Sequence, residues 1–251
     1  RVILSEDDRQ ASATSARMGS DIVSLYTNKK TVDAARLKDE PITDISIPKE
    51  YELSDGRLLP FSLSCSHIDL AEVDVRREPG TEGLLREAIS KIKNDYDYII
   101  IDSPPHLGCL TWMALTAAHF VYIPVRTEPY DVMWVNLILD TIAKVNRRSN
   151  PRLRVGGVIP TQFSSTQYVD VGIVNHLISA LNGRAEILEP VPNSTAYSNA
   201  AWESKIPVEV APRNPAVQPY IRLAEAISTK TPPILALQII EQLSATGDDN
   251  G

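Results

Sequence analysis

The chain has 251 residues, a net charge of −7 and a sequence pI near 5.2. This length suffices for one α/β domain with a large core or for two small domains. The negative net charge excludes a wholly basic nucleic-acid binder, although a local basic patch remains an alternative. The chain contains no run of about eighteen apolar residues, so the sequence predicts no transmembrane helix.

Short apolar runs alternate with helical patterns along the chain, which predicts a mostly parallel, doubly wound α/β sheet. We expect a single domain over residues 1–244 and a disordered acidic tail over 245–251. Strands are predicted at Val2–Leu4, Leu58–Cys65, Ile99–Ile101, Phe120–Val125, Val155–Ile159 and Ala185–Val191. Helices are predicted at Glu82–Lys93, Leu110–Ala118, Met133–Val145, Val171–Leu181, Pro215–Ile227 and Pro232–Leu243.

An aspartate follows the most continuous of these strands. Ile99–Ile101 leads directly into Asp102, and Ser103 and two prolines come next. Such an apolar run is typical of a strand buried on both faces, and active groups of open α/β sheets lie beyond the carboxyl ends of strands. A carboxylate there is costly unless a positive group lies close to it, and in nucleotide-hydrolysing α/β proteins that group is magnesium. The alternative is a turn or helix-capping aspartate.

The longer segment around Asp102 carries a family resemblance. Residues 96–125, YDYIIIDSPPHLGCLTWMALTAAHFVYIPV, resemble the Walker B region of the ParA/MinD family of deviant-Walker ATPases. The family pattern is an apolar strand, Asp-x-Pro-Pro, a Leu/Gly-rich turn, a helix, and an apolar strand ending in Ile-Pro-Val. The resemblance implies a P-loop NTPase fold and a metal-binding role for Asp102. Cys109 lies beside this turn and far from Cys65, so a disulfide is not expected and a reducing cytoplasm fits better.

The first fourteen residues, RVILSEDDRQASAT, are similar to the family's strand and Walker A′ motif, Asp-x-Asp-Pro-Gln-Gly-Asn-Ala-Thr. On this pattern Glu6 takes the first acidic position and Asp8 the second, while Arg9 replaces the usual proline. The resemblance implies that Asp8 positions or deprotonates the attacking water and that Glu6 lies near magnesium. Taken alone, the segment favours a solvated acidic turn after a strand, and only together with the Asp102 motif does it favour the site.

A phosphate cradle needs a glycine-rich loop, a lysine and a Ser or Thr hydroxyl. Neither G-x-x-x-x-G-K-[ST] nor the family's KGGxGK[ST] occurs in the printed sequence. In the family this loop comes before the strand that here starts at Arg1. Because Asp8 and Asp102 are retained and no initiator methionine is present, we expect a fragment whose P-loop lies upstream. The alternative is a protein that has lost nucleotide binding.

Two further sets of residues follow from the resemblance. Residues 155–163 and 185–193 are similar to strands that precede the nucleotide-base loops, so Gln162, Pro192 and Asn193 are candidates for base contact. A basic cluster is a candidate for non-specific DNA binding through phosphate neutralisation. Its members, with one later arginine, are Lys144, Arg147, Arg148, Arg152, Arg154 and Arg213. The alternatives are ordinary loop residues and a solvated helix end.

The resemblance as a whole implies a cytoplasmic, nucleoid-associated ATPase that uses ATP and Mg²⁺. Such a protein forms a homodimer with ATP, binds non-specific DNA, and positions a plasmid, a chromosome or a protein compartment such as a carboxysome. A ParB-like or other adaptor would stimulate hydrolysis. The alternatives are a degenerate, non-hydrolysing interaction protein and a MinD-like regulator. The apolar run at 232–243 has no Lys or Arg, unlike MinD's basic amphipathic helix, so membrane docking is not expected.

Overall fold

The computed structural model describes residues 2–6, 46–52, 56, 58–64, 80–104, 106–128, 131–203 and 205–240. The chain divides into two compact units. The first unit comprises residues 1–119, 142–153 and 203–205, and the second comprises 120–141, 154–202 and 206–251. The single-domain boundary stays a prediction, and the acidic tail lies outside the described residues.

The first unit contains a four-stranded sheet in the order β2-β3-β1-β4. Its strands are β1 (Val2–Glu6), β2 (Ser46–Glu52), β3 (Leu58–Ser64) and β4 (Tyr98–Asp102). Strand β1 is parallel to β3 and β4, whereas β2 pairs antiparallel with β3. The predicted α/β fold with parallel pairing is therefore confirmed, and β2 is an addition that no apolar pattern indicated.

Two helices of the first unit flank β4 in the chain. A single 3₁₀ turn leads into α1 (Leu84–Ile92), and α2 (Cys109–Ala117) follows the turn after β4. Leu85, Leu110 and Met113 are fully buried together, because both helices present apolar residues at helical spacing. This cluster is one part of the core of the first unit among the described residues.

Only one face of β4 is covered by these helices, so the expectation of burial on both faces is wrong. Ile101 packs against the core cluster, and Ile99 packs against the neighbouring α1 residues. Alternate residues point the other way, and there the side chains of Tyr98 and Ile100 are 40% and 54% exposed. The apolar run reflects the β-propensity of isoleucine as well as burial.

The second unit is built around β5 (Phe120–Arg126) and β6 (Arg154–Thr161), which pair in parallel. Helix α3 connects them, with residues 131–141 in the second unit and residues 142–148 in the first. The helices are α3 (Asp131–Arg148), α4 (Tyr168–Leu181), α5 (Thr195–Trp202), α6 (Pro207–Val210) and α7 (Gln218–Thr229). In the described part of the chain, no helix combines the length and apolar character needed to cross a bilayer.

The predicted strand Ala185–Val191 forms one isolated parallel bridge to β6, between Ile187 and Val158, instead of a regular ladder. The amide of Leu188 donates to the carbonyl of Val158, and the amide of Val191 donates to that of Pro160, each at 2.8 Å. Pro190 lacks an amide hydrogen, which interrupts the ladder. Near the C-terminus, residues 236–240 are helical, which agrees with part of the last predicted helix, and later residues lie outside the described part.

Gly157 in β6 leaves no space for a side chain. Its φ is +148°, and a Cβ atom there would lie 2.5 Å from Cγ of Leu188. We expect Gly157→Ala to lower the free energy of unfolding by about 3 kcal/mol through overpacking and backbone strain. Urea unfolding followed by circular dichroism measures the change.

The matched control for this substitution is Gly172 in helix α4. A Cβ atom at Gly172 has no heavy atom within 4 Å. Gly172→Ala should therefore raise the free energy of unfolding by about 0.5–1 kcal/mol, because alanine is the better helix former. Equal stability of the two variants would contradict the packing described at Gly157.

Candidate functional site

Two acidic residues end neighbouring parallel strands at the same level of the sheet. Glu6 of β1 is the Cα partner of Asp102 of β4, one step beyond the Ser5–Ile101 pair. Both residues therefore lie at the carboxyl edge, where open α/β sheets bind ligands. Asp102 is exposed. The side chain of Glu6 and all of Asp8 lie outside the described residues.

The chemistry of this edge fits magnesium. Carboxylate oxygens are the protein ligands that magnesium prefers, and it commonly takes one or two of them and keeps several waters. Among the described side chains there is no group of three His, Cys, Asp or Glu residues that could hold a metal ion. The metal roles of Glu6 and Asp102 stay predictions.

The turn after Asp102 is anchored to helix α2. The hydroxyl of Thr111 donates to the carbonyl oxygen of His106 at 2.6 Å, and Thr111 is only 4% exposed. Leu110, its neighbour, is fully buried in the core cluster. This anchoring fixes where the chain goes after Asp102. Sequence reasoning missed Thr111, since a threonine in the first turn of a helix has many ordinary roles.

A pocket of about 500 Å³ opens in the second unit. It contains all three residues predicted to contact a base, so the structure brings Gln162, Pro192 and Asn193 together although thirty positions separate the first from the other two. Gln162 and Asn193 are exposed and Pro192 is half-buried. The pocket is lined by Thr161, Gln162, Val191, Pro192, Asn193, Ser194, Thr195, Tyr197, Ser198 and Tyr220.

Backbone hydrogen bonds hold the two loops of this pocket together. The amide of Phe163 donates to the carbonyl of Val191 at 3.1 Å, and the amide of Asn193 donates to the carbonyl of Phe163 at 2.9 Å. Phe163 and Val191 are 4% and 3% exposed. Because Phe163 and Val191 are buried, these bonds fix the spacing between the two loops that carry Gln162 and Asn193.

Tyr197 of helix α5 is a pocket residue that sequence reasoning missed. Its hydroxyl donates to the carbonyl of Ala216 at 2.5 Å, and its ring meets that of Tyr220 edge-to-face, with centroids 6.4 Å apart. Burial, and then the charge of an ionised Tyr220, raises the pKa of Tyr197 to about 12. The hydroxyl is therefore protonated at neutral pH. Both partners are distant in sequence, so no local pattern signals this arrangement.

The predicted DNA-contact residues are all exposed side chains. They are Lys144, Arg147, Arg148, Arg152, Arg154 and Arg213. The first three have i, i+3 and i+4 spacing in helix α3 and therefore share one face. None of the six forms an ion pair with another described residue. The structure groups the first four in the first unit, whereas Arg154 and Arg213 belong to the second.

Comparisons with known proteins identify the family. The AAA_31 family model, which describes an AAA domain, matches residues 1–155, more than half of the chain. The sporulation initiation inhibitor protein Soj of Bacillus subtilis is 28% identical over 91% of this chain and 86% of its own length. The chromosome partitioning protein ParA of Myxococcus xanthus is 36% identical over 54% of this chain and 46% of its own length. The chain belongs to the ParA/MinD family of P-loop ATPases.

A solved structure supports the same fold for this ParA/MinD family member. The cobyrinic acid a,c-diamide synthase from Mycobacterium smegmatis, with bound ADP and magnesium, superposes with a TM-score of 0.72. It is 25% identical, and the match covers 94% of this chain and 86% of that one. The predicted P-loop NTPase fold class is therefore confirmed. One of these relatives, from Myxococcus xanthus, is named for chromosome partitioning.

Proposed function

We propose that the full-length protein is an ATP-dependent positioning ATPase that binds ATP with Mg²⁺ and hydrolyses it. The observation that carries the proposal is the register of Glu6 with Asp102, which aligns two acidic positions at one sheet edge. A solved relative with bound ADP and magnesium supports the choice of ligand. Bound magnesium would neutralise charge that develops on the phosphates.

The three acidic residues have separate roles in this proposal. Asp102 and Glu6 supply oxygen ligands to the magnesium ion. Asp8 orients the attacking water and accepts its proton, because phosphoryl transfer depends on a positioned nucleophile. Glu6 has one methylene more than the aspartate usual in this family, so its reach is longer.

The nucleotide base is proposed to bind in the pocket of the second unit. The side-chain amides of Gln162 and Asn193 each offer both donors and an acceptor, which suits the edge of a base. Pro192 supplies an apolar surface in the same pocket. The buried backbone bonds of Phe163 keep these groups in place without a ligand.

ATP is proposed to drive homodimer formation, and the dimer to bind non-specific DNA on the nucleoid. Lys144, Arg147 and Arg148 present three positive charges from one helix face, and Arg152 follows in the next loop. Arg154 and Arg213 are the second unit's contribution. A dimer carries each set twice, which strengthens phosphate neutralisation although each chain has a net charge of −7.

Arg147→Ala combined with Arg148→Ala should weaken ATP-dependent DNA retention by about tenfold at low salt, because two phosphate contacts are lost from each chain. Gel-shift titrations at 50 and 150 mM salt measure both the affinity and its salt slope. The matched control is Lys91→Ala with Lys93→Ala, which removes the same charge from the exposed end of α1. An equal loss in the control would attribute retention to total charge and overturn the assignment.

A ParB-like or other adaptor is proposed to stimulate hydrolysis and release the dimer from DNA. The cargo class, whether plasmid, chromosome or protein compartment, is set by that adaptor. The similarity to the proteins named Soj and chromosome partitioning protein ParA supports this proposal. The proposed location is the cytoplasm, at the nucleoid.

A further inference from the structure

The pocket in the second unit has both aromatic and polar lining residues. Tyr197 and Tyr220 line it together with Gln162 and Asn193. We propose that Tyr197 is the residue on which the nucleotide base stacks and that Gln162, in the same pocket, reads the edge of that base. This inference rests on the proposed function, since it assumes that a nucleotide enters this pocket.

The ring of Tyr197 is already fixed before any ligand binds. Its hydroxyl is tied to the carbonyl of Ala216, and its ring meets Tyr220 at an interplanar angle of 88°. A side chain that is immobile in the free protein loses little conformational entropy when a ligand packs on it. Stacking of a base on an aromatic side chain then raises affinity on the order of tenfold.

The backbone of Gln162 adopts a conformation that glutamine rarely takes. Its φ is +57°, in the left-handed region. The other two described non-glycine residues with positive φ, Asn182 and Lys230, are helix C-caps, where this conformation is common. Gln162 instead follows strand β6. Strained residues of this kind gather at ligand sites because the strained backbone aims a side chain.

The strained residue Gln162 and the stacking residue Tyr197 line the same pocket but come from different parts of the fold. Gln162 comes from the end of β6, and Tyr197 comes from α5. Phe163, directly after Gln162, is hydrogen-bonded to the segment that leads into α5. The pocket is therefore preorganised for a flat ligand with a hydrogen-bonding edge, which is the chemistry of a nucleobase.

The test compares ATP with inorganic tripolyphosphate, both with Mg²⁺, by calorimetry on the full-length protein. Tripolyphosphate has the phosphates and no base. Tyr197→Ala should weaken ATP binding about tenfold and leave tripolyphosphate binding unchanged. Tyr197→Phe keeps the ring and should restore most of the ATP affinity.

Gln162→Gly provides a second variant that does not depend on the folding of Tyr197→Ala. Glycine accepts a φ of +57° without strain, so the melting temperature should stay the same or rise. The affinity for ATP should fall about fivefold because a hydrogen bond to the base is lost. A gain in stability together with a loss of ATP affinity is not expected of a residue with a purely structural role.

Four results would overturn the inference. Unchanged ATP affinity in Tyr197→Ala, or equal losses for ATP and tripolyphosphate, would remove Tyr197 from the base site while the proposed ATPase function stands. Equal binding of the two ligands by the wild-type protein would show that the base contributes nothing. Binding of neither ligand by the wild type would overturn the proposed function and this inference together.

Discussion

Asp102→Asn is expected to reduce magnesium-dependent ATP hydrolysis at least a hundredfold. The substitution keeps the size of the side chain and removes its negative charge, so the carboxylate that would bind magnesium is lost. Because Asp102 is exposed at the end of β4, the fold should tolerate the change. Phosphate release measured over a range of Mg²⁺ concentrations reports the effect, and metal-assisted charge stabilisation accounts for its size.

The control for this substitution is Asp95→Asn. Asp95 is exposed in the turn before β4 and carries the same charge a few residues away. Hydrolysis by this variant should match the wild type. If Asp102→Asn also hydrolyses ATP at the wild-type rate, Asp102 is not needed for catalysis. Asp102 is then a turn or helix-capping aspartate, and its register with Glu6 does not mark an active site.

Asp8→Ala is expected to keep ATP binding and to lose turnover, with a fall in kcat of at least a hundredfold. A residue that positions and deprotonates water acts on the chemical step, so the affinity for ATP should change less than about threefold. Calorimetry and single-turnover hydrolysis separate the two quantities. The neighbouring Asp7→Ala removes an equal charge at a position that the family motif leaves variable.

An equal loss of turnover in Asp8→Ala and Asp7→Ala would show that the total negative charge of the segment matters and that the position of Asp8 does not. A normal rate in Asp8→Ala would remove Asp8 from the proposed role. A loss of ATP binding in this variant would place the residue in nucleotide binding instead, which is a different account of the motif.

The sequence predicted those parts of the fold in which local pattern and tertiary structure agree. The run from β4 through α2 to β5 is an example, because an apolar strand, a glycine-containing turn and a helical period follow one another without conflict. The pairing of Glu6 with Asp102 was also predictable, since parallel strands bring their carboxyl ends to one edge.

Features that depend on contacts distant in sequence were not predictable. The exposed face of β4 depends on which helices cover it, and the single bridge of Ala185–Val191 to β6 depends on pairing with a strand distant in sequence. Tyr197 is held at the pocket by its bond to Ala216 and its contact with Tyr220, both distant in sequence. The left-handed backbone of Gln162 has no sequence signal either, because glutamine is an uncommon residue in that region.

The most direct test of the central claim is calorimetric titration of the full-length protein with ATP, with and without Mg²⁺. We expect saturable binding of one ATP per chain that is at least tenfold tighter with Mg²⁺, because the acidic edge at Glu6 and Asp102 repels phosphate until a cation is present. Absence of ATP binding under both conditions would contradict the account.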